Sequence, residues 1–302
     1  MKIGLYPGCS LEGSSREYAE SLRAIAPKLG LELEEVEGWN CCGASSAHSL
    51  DHVLSLALPA KILAQAEAQR MDELMVPCAA CFNRLASTRT ELAADASRRT
   101  TVAGIINMPF AGTTVVRNIL DVLNRVLTAE AAKSFPKIFS HKVVCYYGCL
   151  LVRPKSVIHH ERMEDPMEMD DLMKRIGATP LDWAMKTECC GASFSITRTD
   201  IVGRLGGQIL EDAVERGAEA VIVACPMCHS NLDMRRKEIE RATKKKFSIP
   251  ILYITQAIGI ALGLEPKALG LQRHFVPVAV EGKNKVQQNA PIRVTAAVSL
   301  EK

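Results

Sequence analysis

The chain has 302 residues, of which 48% are hydrophobic and 24% charged, with a formal net charge of +3. That is enough length and apolar content for two domains with cores of their own, and too weak a positive field for a nucleic-acid binder. Aromatic residues make up 5%, and none interleaves with the basic runs Arg235-Arg236-Lys237 and Lys244-Lys245-Lys246. The most apolar stretch, Ile249 to Leu264, is interrupted by Pro250, Thr255 and Gln256, so no transmembrane helix is expected. Met1 to Tyr6 reads as a strand rather than a signal peptide. The expected setting is therefore cytoplasmic, where thiols stay reduced and CxxC pairs read as metal or redox sites.

In chain order, residues 2–8 read as a strand delivering Cys9. Residues 14–29 have helical spacing, with Tyr18, Leu22, Ile25, Ala26 and Leu29 on one side. Leu31 to Val36 alternates apolar and acidic residues, as a half-buried strand does. Asp51 to Arg70 reads as a helix with a break near Pro59, Leu74 to Val76 as a buried strand stopping at Pro77-Cys78, and Cys81 to Ala94 as a helix. Residues 96–140 carry no cysteine and contain a helical run, Val115 to Leu127, which predicts a helical connector. The order then repeats. Val143-Val144 leads to Cys149, helices are predicted over Asp170–Ile176 and Asp200–Arg216, and the strand Val221–Ala224 leads to Cys225. Pro250 to Tyr253 and the helix after it close the unit. The tail over 277–302 has no periodicity and is expected to be extended or disordered.

Ten of the eleven cysteines form one pattern written twice. The first copy is Cys9, Cys41-Cys42-Gly43 and Cys78-x-x-Cys81, with 31, 35 and 2 residues between; the second is Cys149, Cys189-Cys190-Gly191 and Cys225-x-x-Cys228, with 39, 34 and 2. The flanks match too: Tyr6 and Gly8 with Tyr146 and Gly148, Ala44-Ser45 with Ala192-Ser193, and Asn83 with Asn231. The expected fold class is α/β: two similar cysteine-rich α/β domains from an internal duplication, over 1–95 and 141–276, joined by the connecting helical segment.

Five thiols per unit is one more than a tetrahedral zinc or a cubane cluster needs. Adjacent cysteines in extended chain point oppositely, so Cys41-Cys42 suits neighbouring metals of a multinuclear centre, and Gly43 and Gly191 let the backbone pass close to it. The rival is zinc in one half, with Cys41, Cys42, Cys78 and Cys81 as a four-sulfur site. Cys145, four residues before Cys149, matches Leu5 in the repeat and is read as a buried strand residue. His48 is a candidate proton donor, with an ordinary loop hydrogen bond as the alternative; His229 has the same two readings. The basic runs read as a solvated helix face or as a patch for an anionic substrate.

The pattern C-x(31–39)-C-C-G-x(33–34)-C-x-x-C resembles the cysteine-rich domain of the B-type subunit of CoB–CoM heterodisulfide reductase, over about residues 1–270. The resemblance implies two non-cubane [4Fe-4S] clusters, each held by one five-cysteine set. It implies a disulfide substrate bound between them and reduced, or formed in reverse, with one electron from each. It also implies two partners from the same complex, one ferredoxin-like (C-type) and one flavin-bearing (A-type). The alternative is an electron-transfer or assembly iron–sulfur subunit with no disulfide substrate of its own.

Overall fold

The computed structural model describes residues 1–44, 46–278 and 283–284. Two four-stranded parallel sheets carry the fold. The first has the order β2-β1-β3-β4, formed by β1 (Lys2–Leu5), β2 (Glu32–Glu35), β3 (Glu73–Val76) and β4 (Val115–Asn118). A short β5 (Lys137–Ile138) precedes the second sheet, whose order is β7-β6-β8-β9: β6 (Lys142–Tyr146), β7 (Thr179–Pro180), β8 (Ala220–Val223) and β9 (Ile251–Tyr253). The two orders are the same, so the duplicated α/β architecture expected from the repeat is present. Pairing confirms the repeat register: Leu5 lies opposite Met75, and Cys145 opposite Ile222.

The first half carries α1 (Gly8–Glu12), α2 (Arg16–Ile25), α3 (Ala47–Leu50), α4 (His52–Ala68), α5 (Ala79–Ala94), α6 (Ala96–Ile106), α7 (Ile119–Val126) and α8 (Ala129–Lys133). The second carries α9 (Lys155–Ile158), α10 (Glu168–Arg175), α11 (Thr199–Glu215), α12 (Pro226–His229), α13 (Arg236–Thr243) and α14 (Ile254–Ala261). Among the described residues no helix is long and apolar enough to cross a membrane.

Three local expectations change. The helix after Asp51 runs unbroken through Pro59. The proline costs one backbone bond, but Leu56, Ala60, Ile62 and Leu63 around it are buried, and that packing holds the helix together. The run from Val115 begins as a strand, β4, paired along its length with β3, and turns helical only at Ile119. Asn118 and Asp121 cap that helix reciprocally, Asn118 accepting from Asp121 N at 3.0 Å. Part of the expected connector thus supplies the fourth strand of the first sheet. Finally β2 is an edge strand, so Glu32, Glu34 and Glu35 stay exposed and only the flanking Leu31 and Val36 are buried. Of the tail over 277–302, most lies outside the described residues; β10 (Lys283–Asn284) pairs antiparallel with β5.

The halves meet reciprocally. Helix α2 of the first packs on α14 of the second, and α7 of the first on α10 of the second. Tyr18 stacks on Tyr253 with ring centroids 4.1 Å apart, and its hydroxyl donates to Ala224 O at 3.1 Å. Asn83 Nδ2 donates across to Arg153 O at 2.6 Å and Leu150 O at 3.2 Å. One continuous buried core spans both halves.

Candidate metal–sulfur centres

In each half the five motif cysteines leave the carboxyl ends of three adjacent strands, where open α/β sheets place their sites. Cys9 follows β1 and opens α1, Cys41 and Cys42 lie in the loop after β2, and Cys78 and Cys81 sit where β3 passes into α5. Cys149, Cys189, Cys190, Cys225 and Cys228 repeat this after β6, β7 and β8. Because β1 and β6 are central among these strands, the folds bring together thiols that lie far apart in sequence.

Cys42 Sγ and Cys81 Sγ are 3.1 Å apart, and Cys190 Sγ and Cys228 Sγ 3.7 Å. Gly43 N donates to Cys41 Sγ at 3.4 Å, and Gly191 N to Cys189 Sγ at 3.3 Å. The thiols divide their protons unequally. Hydrogen bonds from Cys41 and then Cys81 pull the Cys42 thiol down to about 3, and burial adds the opposing cost. A bond from Cys149 pulls Cys189 down to about 6, while Cys149 is pushed up. Contacts thus link Cys41, Cys42, Cys81 and Cys78 into one group and Cys149 with Cys189, and Cys190 with Cys228 and Cys225, into another. Cys9 acts on Cys41 through its charge, and Cys190 on Cys149. Cys42, Cys189 and Cys225 are drawn down while Cys41, Cys78, Cys81, Cys149 and Cys228 are pushed up, and the lowered thiols are the ones that give thiolate most readily.

The backbone leaves room on one side. Gly8 and Gly148 have φ of +64° and +67°, and a Cβ there would lie 3.4 Å from Cys81 Sγ and 3.0 Å from Cys228 Sγ. On the other side Tyr6 donates to Asn40 O at 2.9 Å and Tyr146 to Glu188 O at 2.6 Å, tying each strand end to the loop before its double cysteine. Trp39 and Trp183 pack edge-on against these two tyrosines. The tyrosine match was visible in the repeat; that its two members brace the double-cysteine loops was not. The inner thiols Cys42, Cys78, Cys81, Cys190, Cys225 and Cys228 are buried, whereas Cys9, Cys41 and Cys189 are exposed and Cys149 half-buried. Each group therefore has a dry side and a solvent side.

The dry sides touch. Cys78 and Cys225, one from each half, lie close enough to act on each other's protons: Cys225 raises Cys78, and Cys228 and then Cys78 lower Cys225. Five thiols gathered at the strand ends of one sheet per half, with a glycine cradle beside them, fit a polynuclear iron–sulfur centre; a single tetrahedral ion would leave one thiol over.

Other sequence candidates fall elsewhere. Cys145 is fully buried on β6, its carbonyl accepting from Trp183 Nε1 at 3.0 Å. His48 is exposed on α3. The basic runs divide: Arg236 is buried and donates to Ile249 O at 3.0 Å, while Lys245 pairs with Glu211 at 2.8 Å and Lys246 with Glu240 at 2.6 Å on the exposed surface. His229 is buried against Tyr253 and faces His274, Nε2 to Nδ1 at 3.3 Å. His229, Asp233 and His274 lie within 4.8 Å of one another. Gln256 accepts from Tyr253 N through Oε1, so its Nε2 donates to His274 Nε2 at 2.8 Å. That leaves the His274 proton on Nδ1, pointing at His229, while Asp233 accepts from Phe275 N and Val276 N, so the three groups are engaged in separate hydrogen bonds.

Comparison with known proteins gives a consistent answer. The family model described as "CCG: Cysteine-rich domain" matches twice, over residues 3–86 and 143–233. The 8-methylmenaquinol:fumarate reductase membrane anchor subunit of Wolinella succinogenes is 30% identical over 278 residues, covering 91% of this chain and 97% of that one. The B-type subunit of the ferredoxin/F(420)H(2)-dependent CoB-CoM heterodisulfide reductase of Methanosarcina acetivorans is 28% identical over 284 residues, covering 91% and 94%. Among solved structures, a hypothetical protein from Helicobacter pylori superposes over 92% of this chain with a TM-score of 0.74 at 11% identity. The chain spans about half, 52%, of that structure's length, and the likeness shows the fold alone.

Proposed function

The chain belongs to the family built on the cysteine-rich CCG domain, and on that premise we propose that it reduces, or in reverse forms, a disulfide bound at the seam between two non-cubane [4Fe-4S] centres. Cys9, Cys41, Cys42, Cys78 and Cys81 hold one centre; Cys149, Cys189, Cys190, Cys225 and Cys228 hold the other. The coarser role, an iron–sulfur redox subunit, follows from the family and from relatives named as subunits of reductases. The observation that carries the finer reading is the Cys78–Cys225 contact, which sets the two thiol groups side by side.

Cleaving a disulfide takes two electrons and two protons, yielding two thiols. The centres, when bound, each supply one electron. The chain's own groups supply the rest. The buried thiols and Tyr18 keep water from the seam, the exposed Cys9, Cys41 and Cys189 mark the side from which substrate or donor approaches, and His48 beside the first motif is the candidate proton donor. Two partners, one ferredoxin-like and one flavin-bearing, complete the proposed complex. The Wolinella relative, named as the membrane anchor of a quinol-linked fumarate reductase, supports a second reading: a protein that relays electrons and has no disulfide substrate.

Anaerobic purification with iron, sulfide and zinc analysis tests the centres, about eight irons being expected, four per half. Four irons with one zinc would sink the two-cluster reading. Exposing the reduced protein to a panel of disulfides separates the two functions: oxidation of the centres with thiol release supports the first, inertness toward every disulfide the second.

A further inference from the structure

The duplication reveals a niche that is filled in one half and open in the other. In the second half His274 to Val276 fold into the space beside α12 and α14. The His274 ring bonds to His229 and Gln256, and Asp233 accepts from Phe275 N at 2.8 Å and Val276 N at 3.1 Å. Three side chains therefore grip this plug: His229, Asp233 and Gln256.

The sheet registers and the repeat identify counterparts for two of them. Val76 pairs with Asn118 as Val223 does with Tyr253, so Asp121, three residues on from Asn118, matches Gln256. Both residues are the third of a reciprocal helix cap. Phe82 follows Cys81 as His229 follows Cys228. Both counterparts, Phe82 and Asp121, line a cavity of about 190 Å³, with Ala86 one turn on from Phe82. Among the described residues, no segment of the first half lines it as His274 fills its twin. The second half's Ile158 and His160 close one wall, and Arg89, Thr90, Arg117 and Asn118 add polar groups; Arg117 spends its Nε on Glu73 Oε1 at 2.7 Å and keeps its terminal amino groups for the cavity.

The chemistry of the open niche differs from that of the plugged one. Arg117 stands where the second half has Leu252. Arg89 spends its Nε on Gly112 O at 2.9 Å, leaving both terminal amino groups for a ligand. The opposing carboxyl is Asp121, which accepts from Asn118 N at 3.3 Å and whose pKa burial raises above the ordinary carboxylate value. A space this size lies below the range for drug-sized molecules and suits a compact ligand. We propose that this cavity binds a small molecule carrying an oxyanion (carboxylate, sulfonate or phosphate), seated where the plug sits in the other half and held by Arg89 and Arg117. The site adjoins the first cysteine group through Phe82, yet its occupancy does not depend on how the metal centres work.

Calorimetric titration of the intact, metal-loaded protein with malonate and with inorganic phosphate tests it. At least one probe should bind, Arg89→Gln should weaken it by about tenfold or more, as expected for loss of a charge-assisted pair, and Ala86→Leu should block it by filling the space. Iron content and the unfolding midpoint, measured on the same samples, show whether each variant is folded and loaded. In a turnover assay, a probe that raises KM alone marks the site as holding the substrate's anionic end, and one that changes kcat marks a separate effector. Parent protein that binds neither probe, or variants that bind as the parent does, would overturn the proposal, while iron content and disulfide reactivity decide the function of the centres independently.

Discussion

Cys145 shows how one residue tests a register. Cys145-x₃-Cys149 has a metal-like spacing, but pairing with Ile222 places Cys145 inside the sheet, and burial pushes its thiol up. Cys145→Ala is expected to keep a full iron complement, whereas Cys149→Ala loses iron from the second centre; iron analysis of the two variants decides, and the reverse result would break the register. His274 gives a pH prediction. Burial lowers its folded value to about 4, below the 6.5 of an unfolded histidine. Its contribution is therefore fully present above pH 6.5 and is lost as pH falls toward 4, because the unfolded chain takes up the proton first. The loss amounts to about 3 kcal/mol at the acid end. Denaturant midpoints should fall more steeply between pH 6.5 and 4.5 in the parent than in His274→Gln; equal slopes would remove His274 from the account.

At the scale of elements, the strand ends and the helices after them do the positioning. Gly148 turns the chain between β6 and Cys149 with a positive φ, and its missing side chain leaves space for Cys228. Gly148→Ala should cost about 1–2 kcal/mol in backbone strain and also displace the Cys228 sulfur. The expected outcome is a folded protein with about half the parent's iron, read by iron analysis beside far-UV circular dichroism. A π-helical segment, Ser230–Met234, follows Cys228. Its wider turn accounts for a mismatch in the repeat, where Asn231 follows its cysteine by three residues and Asn83 by two. The two asparagines consequently do different things. Asn231 Nδ2 donates to Cys190 O at 2.9 Å within its own half, while Asn83 crosses to the other.

For the whole molecule, the reciprocal packing of α2 on α14 and α7 on α10 makes the halves one cooperative body. A single calorimetric transition is expected; two resolved transitions would mean that the halves are independent. Asn83→Ala leaves the carbonyls of Leu150 and Arg153 without their cross-half donor. Its expected cost is about 1–3 kcal/mol, seen as a lower melting temperature of that same single transition.

The division between sequence and tertiary structure follows from the range of each interaction. Local pattern alone determined the duplication, the strand–helix order and the placement of Cys145 on a buried strand, because a repeated motif carries its own register. Local pattern misread Val115 to Asn118 as helix, since pairing with β3 decides that segment. It likewise put a break at Pro59, where burial of the neighbouring side chains outweighs one lost hydrogen bond. Only the tertiary structure could show that Cys78 meets Cys225, that Arg236, Lys245 and Lys246 of the basic runs pair with backbone carbonyls, Glu211 and Glu240, and that one niche is plugged while its twin is open. Each of these depends on residues far apart in the chain, brought together by the packing of two sheets.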